Sequence, residues 1–371
     1  MRIYIVAEQY GEMGGSERVQ LALRETFPEA VTIAPVFEGE AESRGPAPDR
    51  LVPIPGRRRR HLTPLYARRL AREPIEPPAV VISIATHGWS LGVVVPPGAR
   101  HLCYSNGVPR SLYGQSDLYL RDQPRAARAL IRAGQPALRA YERRLMRRAD
   151  RLLTNSRFSA GMIERVHGRA AEIVPPPVRT NVFTPGRRER THFLVVARLS
   201  PQKRLEEVVE AFRGSSERLV VAGEGPLAGR LKASAPPNVE FTGFVDDARL
   251  AELYRTSHAA ICPSVEDFGI AVGEAQAAGT PVVVRSEGGA SEICRRPDTG
   301  IVIASAEPAA IAAAVRQVRE RCWDLDACRQ AALRFDEAVF SSEMARVVEE
   351  EAALVSRPGE LSPHLSSAPA A

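Results

Sequence analysis

Short apolar runs alternate with helical stretches along most of the chain. In the first half, strand-like runs bounded by Gly, Pro or Asn are predicted at residues 2–7, 30–35, 79–85, 101–105 and 151–155. The second half repeats this pattern at residues 192–199, 218–222, 239–242, 259–263, 281–285 and 300–304. Helical patterns such as 205–212 and 249–255 separate these runs. Apolar strands that alternate with helices predict an α/β protein with parallel sheets covered on both faces.

Consecutive prolines divide the chain near its middle. Pro175, Pro176 and Pro177, followed by Pro185, cannot continue a helix and hold the residues before them extended. We therefore predict two Rossmann-like domains of about equal size, at residues 1–185 and 186–355. The last helix is predicted at residues 341–355 and could pack back on the N-terminal domain. The Pro-, Ser- and Ala-rich tail, residues 356–371, is predicted to be flexible.

Composition narrows the class of protein. Hydrophobic residues make up 44% of the chain and charged residues 25%, which excludes a disordered or fibrous protein. The net charge of +6 is modest for 371 residues, and only Lys203 and Lys232 among the fifty basic residues are lysine. Codon bias toward arginine explains most of this pattern, and no nucleic-acid partner is expected. No apolar stretch is long enough to predict a transmembrane helix.

The cysteines and the N-terminal residues bear on the cellular compartment. The five cysteines are odd in number, form no Cys-x-x-Cys pair and are predicted to be reduced, buried thiols. The apolar run before Glu8 is too short for a signal peptide. We therefore expect a cytoplasmic protein.

Parallel sheets bind ligands in the loops at the carboxyl ends of their strands. After the first predicted strand, Gly14 and Gly15 would let the backbone approach a ligand closely, and Ser16 could cap the next helix. Near the end of the run 192–199, Arg198 and Lys203 are placed at the mouth of the second sheet. Fixed cations at that point suit a diphosphate, although most basic clusters are only solvated.

The loop after the run 259–263 carries two acids. Glu266 lies in a glycine-bearing loop, and Glu274 is predicted in the first turn of the helix that begins near residue 271. Taken singly, Glu274 could merely complement the helix dipole, and Glu266 could be an exposed loop acid. Together they indicate acceptors for sugar hydroxyls, with amide donors beside them at Phe268, Gly269 and Ile270.

Glu266 and Glu274 are separated by seven residues, as in the Glu-x7-Glu signature of retaining nucleotide-sugar glycosyltransferases. Further segments continue the likeness, in order, along nearly the whole chain: residues 14–18, 155–158, 175–178, 198–203, 223–226 and 288–292. The chain thus resembles glycosyltransferase family 4. The resemblance implies a GT-B fold of two facing Rossmann-like domains with parallel sheets.

Finer details resemble one branch of that family. The Lys-Arg pair at 203–204, where many relatives have Lys-Gly, and the segment 266–270 are similar to GDP-mannose-dependent mannosyltransferases acting on lipid-linked or polysaccharide acceptors. The segment 103–113 also resembles theirs and would bring Tyr104, Arg110 and Tyr113 to the acceptor side. Asn106, Gly107 and Val108 stand where that branch has His-Thr-Pro, a departure that concerns the acceptor more than the reaction.

The resemblance also implies roles for single residues. Arg198 and Lys203 would bind the diphosphate and stabilise the leaving group, and Glu274 would bind the ribose. Glu266 would hold the donor sugar, which His87 of the N-terminal domain would face. Without the resemblance, His87 would be interpreted as a structural histidine. The donor-binding set would further include Gly14, Gly15, Phe268, Gly269 and Ile270.

No metal or other cofactor is expected, because the two cations would replace a metal at the leaving diphosphate. The one Asp-x-Asp sequence, at Asp324 and Asp326, is interpreted as a helix start. The expected reaction moves a hexosyl group, most naturally mannose from GDP-mannose, to a lipid-linked or glycan hydroxyl with retention of configuration. One alternative is a UDP-, dTDP- or ADP-sugar donor with a small soluble acceptor. A lesser alternative is a non-enzymatic nucleotide or polyanion binder.

Arginine is clustered at residues 57–60 and along a predicted helix, where Arg139, Arg143 and Arg147 share four-residue spacing. Such a face could hold the anionic inner surface of a membrane or a lipid-diphosphate acceptor. It could equally be a solvated face.

Overall fold

The computed structural model describes residues 1–8, 14–37, 47–54, 63–114, 116–120, 124–186, 189–294 and 296–355. Within them, the first sheet has the strand order β3-β2-β1-β4-β5-β6-β7. Its strands are β1 (Arg2–Ala7), β2 (Val31–Phe37), β3 (Arg50–Ile54), β4 (Ala79–Ala85), β5 (Ala99–Ser105), β6 (Arg151–Thr154) and β7 (Glu172–Ile173). The pairs from β3 through β5 are parallel.

The second sheet is parallel between all neighbouring strands, in the order β10-β9-β8-β11-β12-β13. Its strands are β8 (His192–Val196), β9 (Leu219–Ala222), β10 (Val239–Gly243), β11 (Ser257–Cys262), β12 (Val282–Arg285) and β13 (Gly300–Ile303). The predicted strands lie within a few residues of these bounds, so the predicted α/β class with two parallel sheets is confirmed.

Helices connect the strands as crossovers. In the first half they are α1 (Gly15–Thr26), α2 (Thr63–Leu70), α3 (Ser116–Leu120), α4 (Arg125–Met146) and α5 (Arg157–His167). In the second half they are α6 (Leu205–Ala211), α7 (Ala228–Ser234), α8 (Asp247–Arg255), α9 (Ile270–Ala277), α10 (Ala290–Ile293), α11 (Pro308–Glu320), α12 (Leu325–Leu333) and α13 (Glu337–Val355).

The second sheet is buried on both faces, as predicted. Along β8, Leu194 belongs to one apolar cluster, whereas Phe193 and Val195 belong to another. The same alternation separates Val282 from Val283 along β12. Because side chains point to opposite faces with a period of two, the two clusters cover opposite faces of the sheet.

Two reversals in strand order mark where ligands bind such sheets. In the first sheet, β1 lies between β2 and β4; in the second, β8 lies between β9 and β11. The chain winds away from β1 and from β8 in one direction and returns on their other side, so the crossovers diverge there. The loops after β1 and β4, and those after β8 and β11, therefore flank the topological switch points.

The chain divides into two compact units rather than at one point in the sequence. The first unit contains residues 1–105, 140–153 and those from Ser341 onward; the second contains residues 106–139 and 154–340. The predicted boundary near residue 185 falls inside the second unit, and as a functional division of the chain it stays a prediction. The predicted flexible tail, residues 356–371, lies outside the described residues.

Several local expectations needed correction. Gly14, not Ser16, is the N-cap of α1, so no side chain caps this helix. The strand β3 was not predicted because it contains Pro53, which is tolerated since β3 is an edge strand. The helix α13 begins four residues earlier than predicted, at Glu337. All five cysteines are free, but Cys322 is exposed and Cys262 is only partly buried.

Candidate active site

An ion pair joins the two loops that flank the switch point of the second sheet. Lys203, in the short 3₁₀ turn after β8, places its Nζ atom 2.7 and 2.8 Å from the two carboxylate oxygens of Glu266. Glu266 belongs to the loop after β11, and Ser264 donates a further hydrogen bond to it. The Lys203 side chain is 30% exposed and that of Glu266 18%, so both remain accessible to a ligand.

Electrostatics keep both partners charged. Burial lowers the pKa of the Lys203 ammonium, but the charges of Glu266 and Cys262 and the hydrogen bond to Glu266 together outweigh it, and the net pKa is raised. Burial raises the pKa of the Glu266 carboxyl, whereas Lys203, with smaller contributions from Ser264 and Arg110, lowers it more, so the net pKa is lowered. An ammonium and a carboxylate therefore meet at this point at neutral pH.

The Glu266 loop is held by direct backbone packing against the turn after β12. The Gly289 amide donates to the Glu266 carbonyl over 2.8 Å. A Cβ atom at Gly289 would lie 2.1 Å from the Asp267 carbonyl oxygen, and one at Gly288 would lie 2.8 Å from the Glu266 carbonyl oxygen. Gly288 also has a φ of +114°, which favours glycine. The Gly-Gly sequence thus lets two backbones touch and sets the position of Glu266.

The helix α9 begins directly after this loop. Its N-cap is Gly269, with a φ of 99°, and the buried Phe268 ring packs edge-on against Phe335. Among the described residues, the amides from Phe268 to Ala271 have no backbone acceptor, as expected at a helix N-terminus. These amides, including those of Gly269 and Ile270, are suited to an anion or a sugar oxygen.

Glu274 lies deeper in α9 than predicted. It is the fifth residue of the helix rather than a first-turn residue, and it is 2% exposed. The Tyr254 hydroxyl donates a hydrogen bond to the Oε2 atom of Glu274 over 3.2 Å. The pKa of the Arg179 guanidinium is raised mainly by Asp247, and the charge of Glu274 adds to this rise. A role as a simple helix-dipole acid is therefore wrong, and the ribose contact stays a prediction.

The two arginines on either side of Lys203 differ in setting. Arg198 is exposed in the segment that leads from β8 to Lys203. Arg204 has a φ of 55° and is the one non-glycine residue with a positive φ among those described. Left-handed backbone costs such a residue about 1–2 kcal/mol, and Arg204 offsets part of this by an ion pair with Glu207 in α6.

A buried carboxylate organises the corresponding loop of the first unit. Glu8, directly after β1, accepts hydrogen bonds from the amides of Thr86, His87, Trp89 and Ser90 over 2.5 to 3.3 Å. Its side chain is 3% exposed. Sequence reasoning missed this residue, because its four partners come from the turn after β4, far away along the chain.

His87 lies in this turn, at the switch point of the first sheet. Its Nδ1 atom is 3.6 Å from the Glu8 carboxylate, and its side chain is 30% exposed. The neighbouring Trp89 is buried and stacks on Tyr141. Gly14 and Gly15 open α1 after the same strand as Glu8, and residues 9–13 between them lie outside the described part. The roles of His87, Gly14 and Gly15 stay predictions.

The three residues predicted on the acceptor side occupy different surroundings. Tyr104 is fully buried in β5, which argues against direct contact with an acceptor. Tyr113 is half-buried, with the Arg139 guanidinium 5.6 Å above its ring. Arg110 binds Asp267, the residue after Glu266, through a 2.7 Å hydrogen bond.

The three arginines predicted to share one face of a helix have different surroundings in the structure. Arg139 turns back to donate to the Leu112 carbonyl over 2.7 Å, whereas Arg143 and Arg147 are exposed. The second cluster, residues 57–60, lies outside the described residues. A membrane surface or lipid diphosphate at the α4 face stays a prediction. No described helix is long and apolar enough to cross a membrane.

The Asp-x-Asp sequence is a helix start, as predicted. The Asp324 side chain accepts from the Ala327 amide as the N-cap of α12. Within the described part of the chain, no group of three His, Cys, Asp or Glu side chains is arranged to hold a metal ion. Independence from metal nevertheless stays a prediction.

Two family models match the chain in succession. One, described as "Glycosyltransferase Family 4", matches residues 13–182, and another, "Glycosyl transferases group 1", matches residues 181–333. A D-inositol 3-phosphate glycosyltransferase from Acidothermus cellulolyticus is 30% identical over 321 residues, which cover 77% of this chain and 68% of that protein.

Other similar proteins are matched over less of their length, or show a likeness of fold alone. A GDP-mannose-dependent alpha-(1-6)-phosphatidylinositol dimannoside mannosyltransferase from Mycobacterium tuberculosis is 34% identical over 192 residues, 46% of this chain. The chain spans 50% of that relative's length and 35% of a further curated relative's. Anabaena HepE in complex with UDP and glucose has a TM-score of 0.66 and 16% identity, over 94% of this chain and 99% of HepE. This likeness confirms the expected GT-B type of fold.

Replacing Gly289 by Ala should destabilise the protein. The φ of Gly289 is −67°, so the added methyl group would act only by colliding with the Asp267 carbonyl. We expect a loss of about 1–3 kcal/mol in the free energy of unfolding, measured by denaturant titration. Gly161→Ala, in the open interior of α5, is the matched control and should be neutral or stabilising. Equal stability of both variants would contradict the packing argument.

Replacing Glu8 by Gln should loosen the turn after β4. The amide nitrogen of Gln cannot accept from two of the four backbone donors, and the charge of the acceptor is lost. We expect a destabilisation of about 3 kcal/mol and faster hydrogen exchange at residues 86–90. Glu76→Gln, in an exposed ion pair with Arg2, should change neither quantity measurably. Unchanged exchange at residues 86–90 in Glu8→Gln would show that the carboxylate does not organise the turn.

Proposed function

The chain belongs to glycosyltransferase family 4, and on that premise we propose that it transfers a hexosyl group from a nucleotide-sugar to an acceptor hydroxyl. The observation that carries this proposal is the Lys203–Glu266 ion pair at the switch point of the second sheet. The pair supplies a cation for a leaving diphosphate and a carboxylate for sugar hydroxyls within one contact distance. The N-terminus of α9 adds amide donors beside them.

We propose mannose from GDP-mannose as the donor. The residues at 203–204 and the segment from Glu266 to Ile270 support this choice, since they are similar to GDP-mannose-dependent enzymes of the family. The mycobacterial relative, which is named for GDP-mannose and a phosphatidylinositol mannoside, supports both the donor and a lipid-linked or glycan acceptor.

The alternative donor and acceptor rest on other relatives. HepE is in complex with UDP and glucose, which favours a UDP-sugar, and dTDP- or ADP-sugars belong to the same alternative. The Acidothermus relative is named for inositol 3-phosphate, which favours a small soluble acceptor.

We propose a retaining mechanism without metal. The acceptor oxygen forms a bond to the anomeric carbon on the face from which the nucleoside diphosphate departs, and the bond from that carbon to the phosphate oxygen breaks. The acceptor proton passes to the departing phosphate oxygen, so no separate protein base is required. Arg198 and Lys203 stabilise the charge on the diphosphate, and the activity should persist in excess chelator.

The remaining site residues have binding roles in this scheme. Glu266 accepts from the sugar hydroxyls and Glu274 from the ribose, while the amides of residues 268–270 donate to the sugar or diphosphate. His87 faces the transferred sugar, and Gly14 and Gly15 approach the diphosphate.

The donor is tested by thermal shift with GDP-, UDP-, dTDP- and ADP-sugars. We expect GDP-mannose to bind most tightly and therefore to raise the melting temperature most. A ligand present at a hundred times its Kd stabilises the folded protein by about 2.7 kcal/mol. Bare GDP is the control that separates sugar from nucleotide binding. A selective response to a UDP-sugar would replace the mannose proposal, and no response to any sugar nucleotide would contradict the transferase itself.

Two substitutions separate catalysis from stability. Arg198→Ala should lower kcat by about 10²–10³ and lower the melting temperature less than Lys203→Ala, because Arg198 is exposed. Lys203→Ala should lower kcat by a similar factor of about 10²–10³ and also lower the melting temperature, because it leaves the Glu266 carboxylate without its cation. Lys232→Ala, which removes the other lysine of the chain from an exposed position in α7, is the matched control. Near-normal kcat in Arg198→Ala would refute the leaving-group role.

A further inference from the structure

A second cation lies on the other side of the Glu266 loop. Arg110, in the segment after β5, donates from Nη2 to the Asp267 carboxylate over 2.7 Å and from Nη1 to the Val265 carbonyl. Its guanidinium also lies 5.8 Å from the centre of the Phe158 ring. One planar group thus binds the residues immediately before and after Glu266.

The Arg110 side chain is largely buried against this loop. Its side chain is only 13% exposed, and two of its nitrogens are engaged by the loop. A Cβ atom at Gly107, in the same segment, would lie 2.7 Å from the Asp267 carboxyl group. The segment after β5 is therefore packed against the Glu266 loop rather than held away from it.

The backbone of Asp267 is fixed from a third direction. Its carbonyl accepts hydrogen bonds from the hydroxyls of Ser156 and Ser159 at the start of α5. Together with the Gly289 amide on the Glu266 carbonyl, these bonds hold the main chain around Glu266. The guanidinium of Arg110 is the one charged contributor to this set.

The charge of Arg110 also affects the ionisation of the two carboxylates in this loop. Burial raises the pKa of the Asp267 carboxyl, and the neighbouring Arg110 offsets only part of that rise. The charge of Lys203 also lowers the pKa of Asp267, and the charge of Arg110 also lowers that of Glu266, so both cations act on both carboxylates. In direct contact, however, Arg110 pairs with Asp267 and Lys203 pairs with Glu266.

We propose that Arg110 is a positioning residue that, through Val265 and Asp267, sets how Glu266 meets the donor sugar. This inference rests on the proposed function, and it differs from a direct acceptor contact by Arg110. A positioning role predicts that Arg110 and Asp267 act as one unit on sugar binding. A direct contact with the acceptor predicts that Arg110 acts alone and only on acceptor binding.

The test is a double-mutant cycle of Arg110→Gln and Asp267→Asn, read out by calorimetric Kd values for the sugar nucleotide and for the bare nucleoside diphosphate. Each single variant should weaken sugar-nucleotide binding roughly tenfold and leave diphosphate binding unchanged, and the double variant should be no worse than either single one. Arg110→Lys, which keeps the charge without the planar fork, should recover only part of the loss.

Hydrogen exchange at residues 265–269 provides a readout independent of any substrate. Arg110→Gln should speed exchange there, whereas Arg132→Gln, in an exposed pair with Asp117, should not. Failure of the wild-type protein to bind any sugar nucleotide would refute the proposed function but leave this readout standing. Unchanged exchange in Arg110→Gln, additive effects in the cycle, or an effect on acceptor KM alone would overturn the positioning role.

Discussion

Two adjacent carboxylates in a half-buried loop repel each other and are poorly solvated, so each is stabilised by a cation of its own, and the geometry around Glu266 depends on this constraint. Lys203 pairs with Glu266, and Arg110 pairs with Asp267. One cation follows β8 and the other follows β5, so parts of the chain far apart in sequence must meet at one loop. Removal of either cation would leave a poorly solvated carboxylate beside a like charge, which is costly. The same two ion pairs therefore stabilise the packing of the second unit and position the carboxylate proposed to bind the sugar.

The first unit meets a similar constraint in a different way. Glu8 is also a carboxylate buried at the end of a strand, but four backbone amides bind it instead of a cation. Neutral donors fix its position without adding an opposite charge to the turn that carries His87. Backbone packing performs the corresponding task in the second unit, where Gly288 and Gly289 lie directly against Glu266 and Asp267. In both units, a side chain proposed to meet the substrate belongs to a turn that is fixed by its neighbours.

Regular features of this protein could be predicted from the sequence because their signal is local. Strand positions, the two parallel sheets and the Asp324 N-cap all depend on residues that are near neighbours in the chain. The loops at Lys203 and Glu266 were found for the same reason, since each directly follows an apolar strand. Expectations that depended on an exact helix start were less successful: Ser16 is not a cap, and Glu274 lies in the second turn of α9 rather than the first. Helix starts depend on single capping residues. In α1 and α9 that residue is a glycine, which has no side chain with which to cap the helix.

By itself, the sequence determined the α/β class, the order of the strands along the chain and the chemical types of the residues in the strand-end loops. The tertiary structure decided which of those residues meet. It paired Lys203 with Glu266, brought Arg110 to Asp267, buried Tyr104, and assigned four amide partners to Glu8. Contacts of this kind join residues tens to hundreds of positions apart. No local pattern encodes them, because they depend on strand order in the sheets and on the close approach of separate loops.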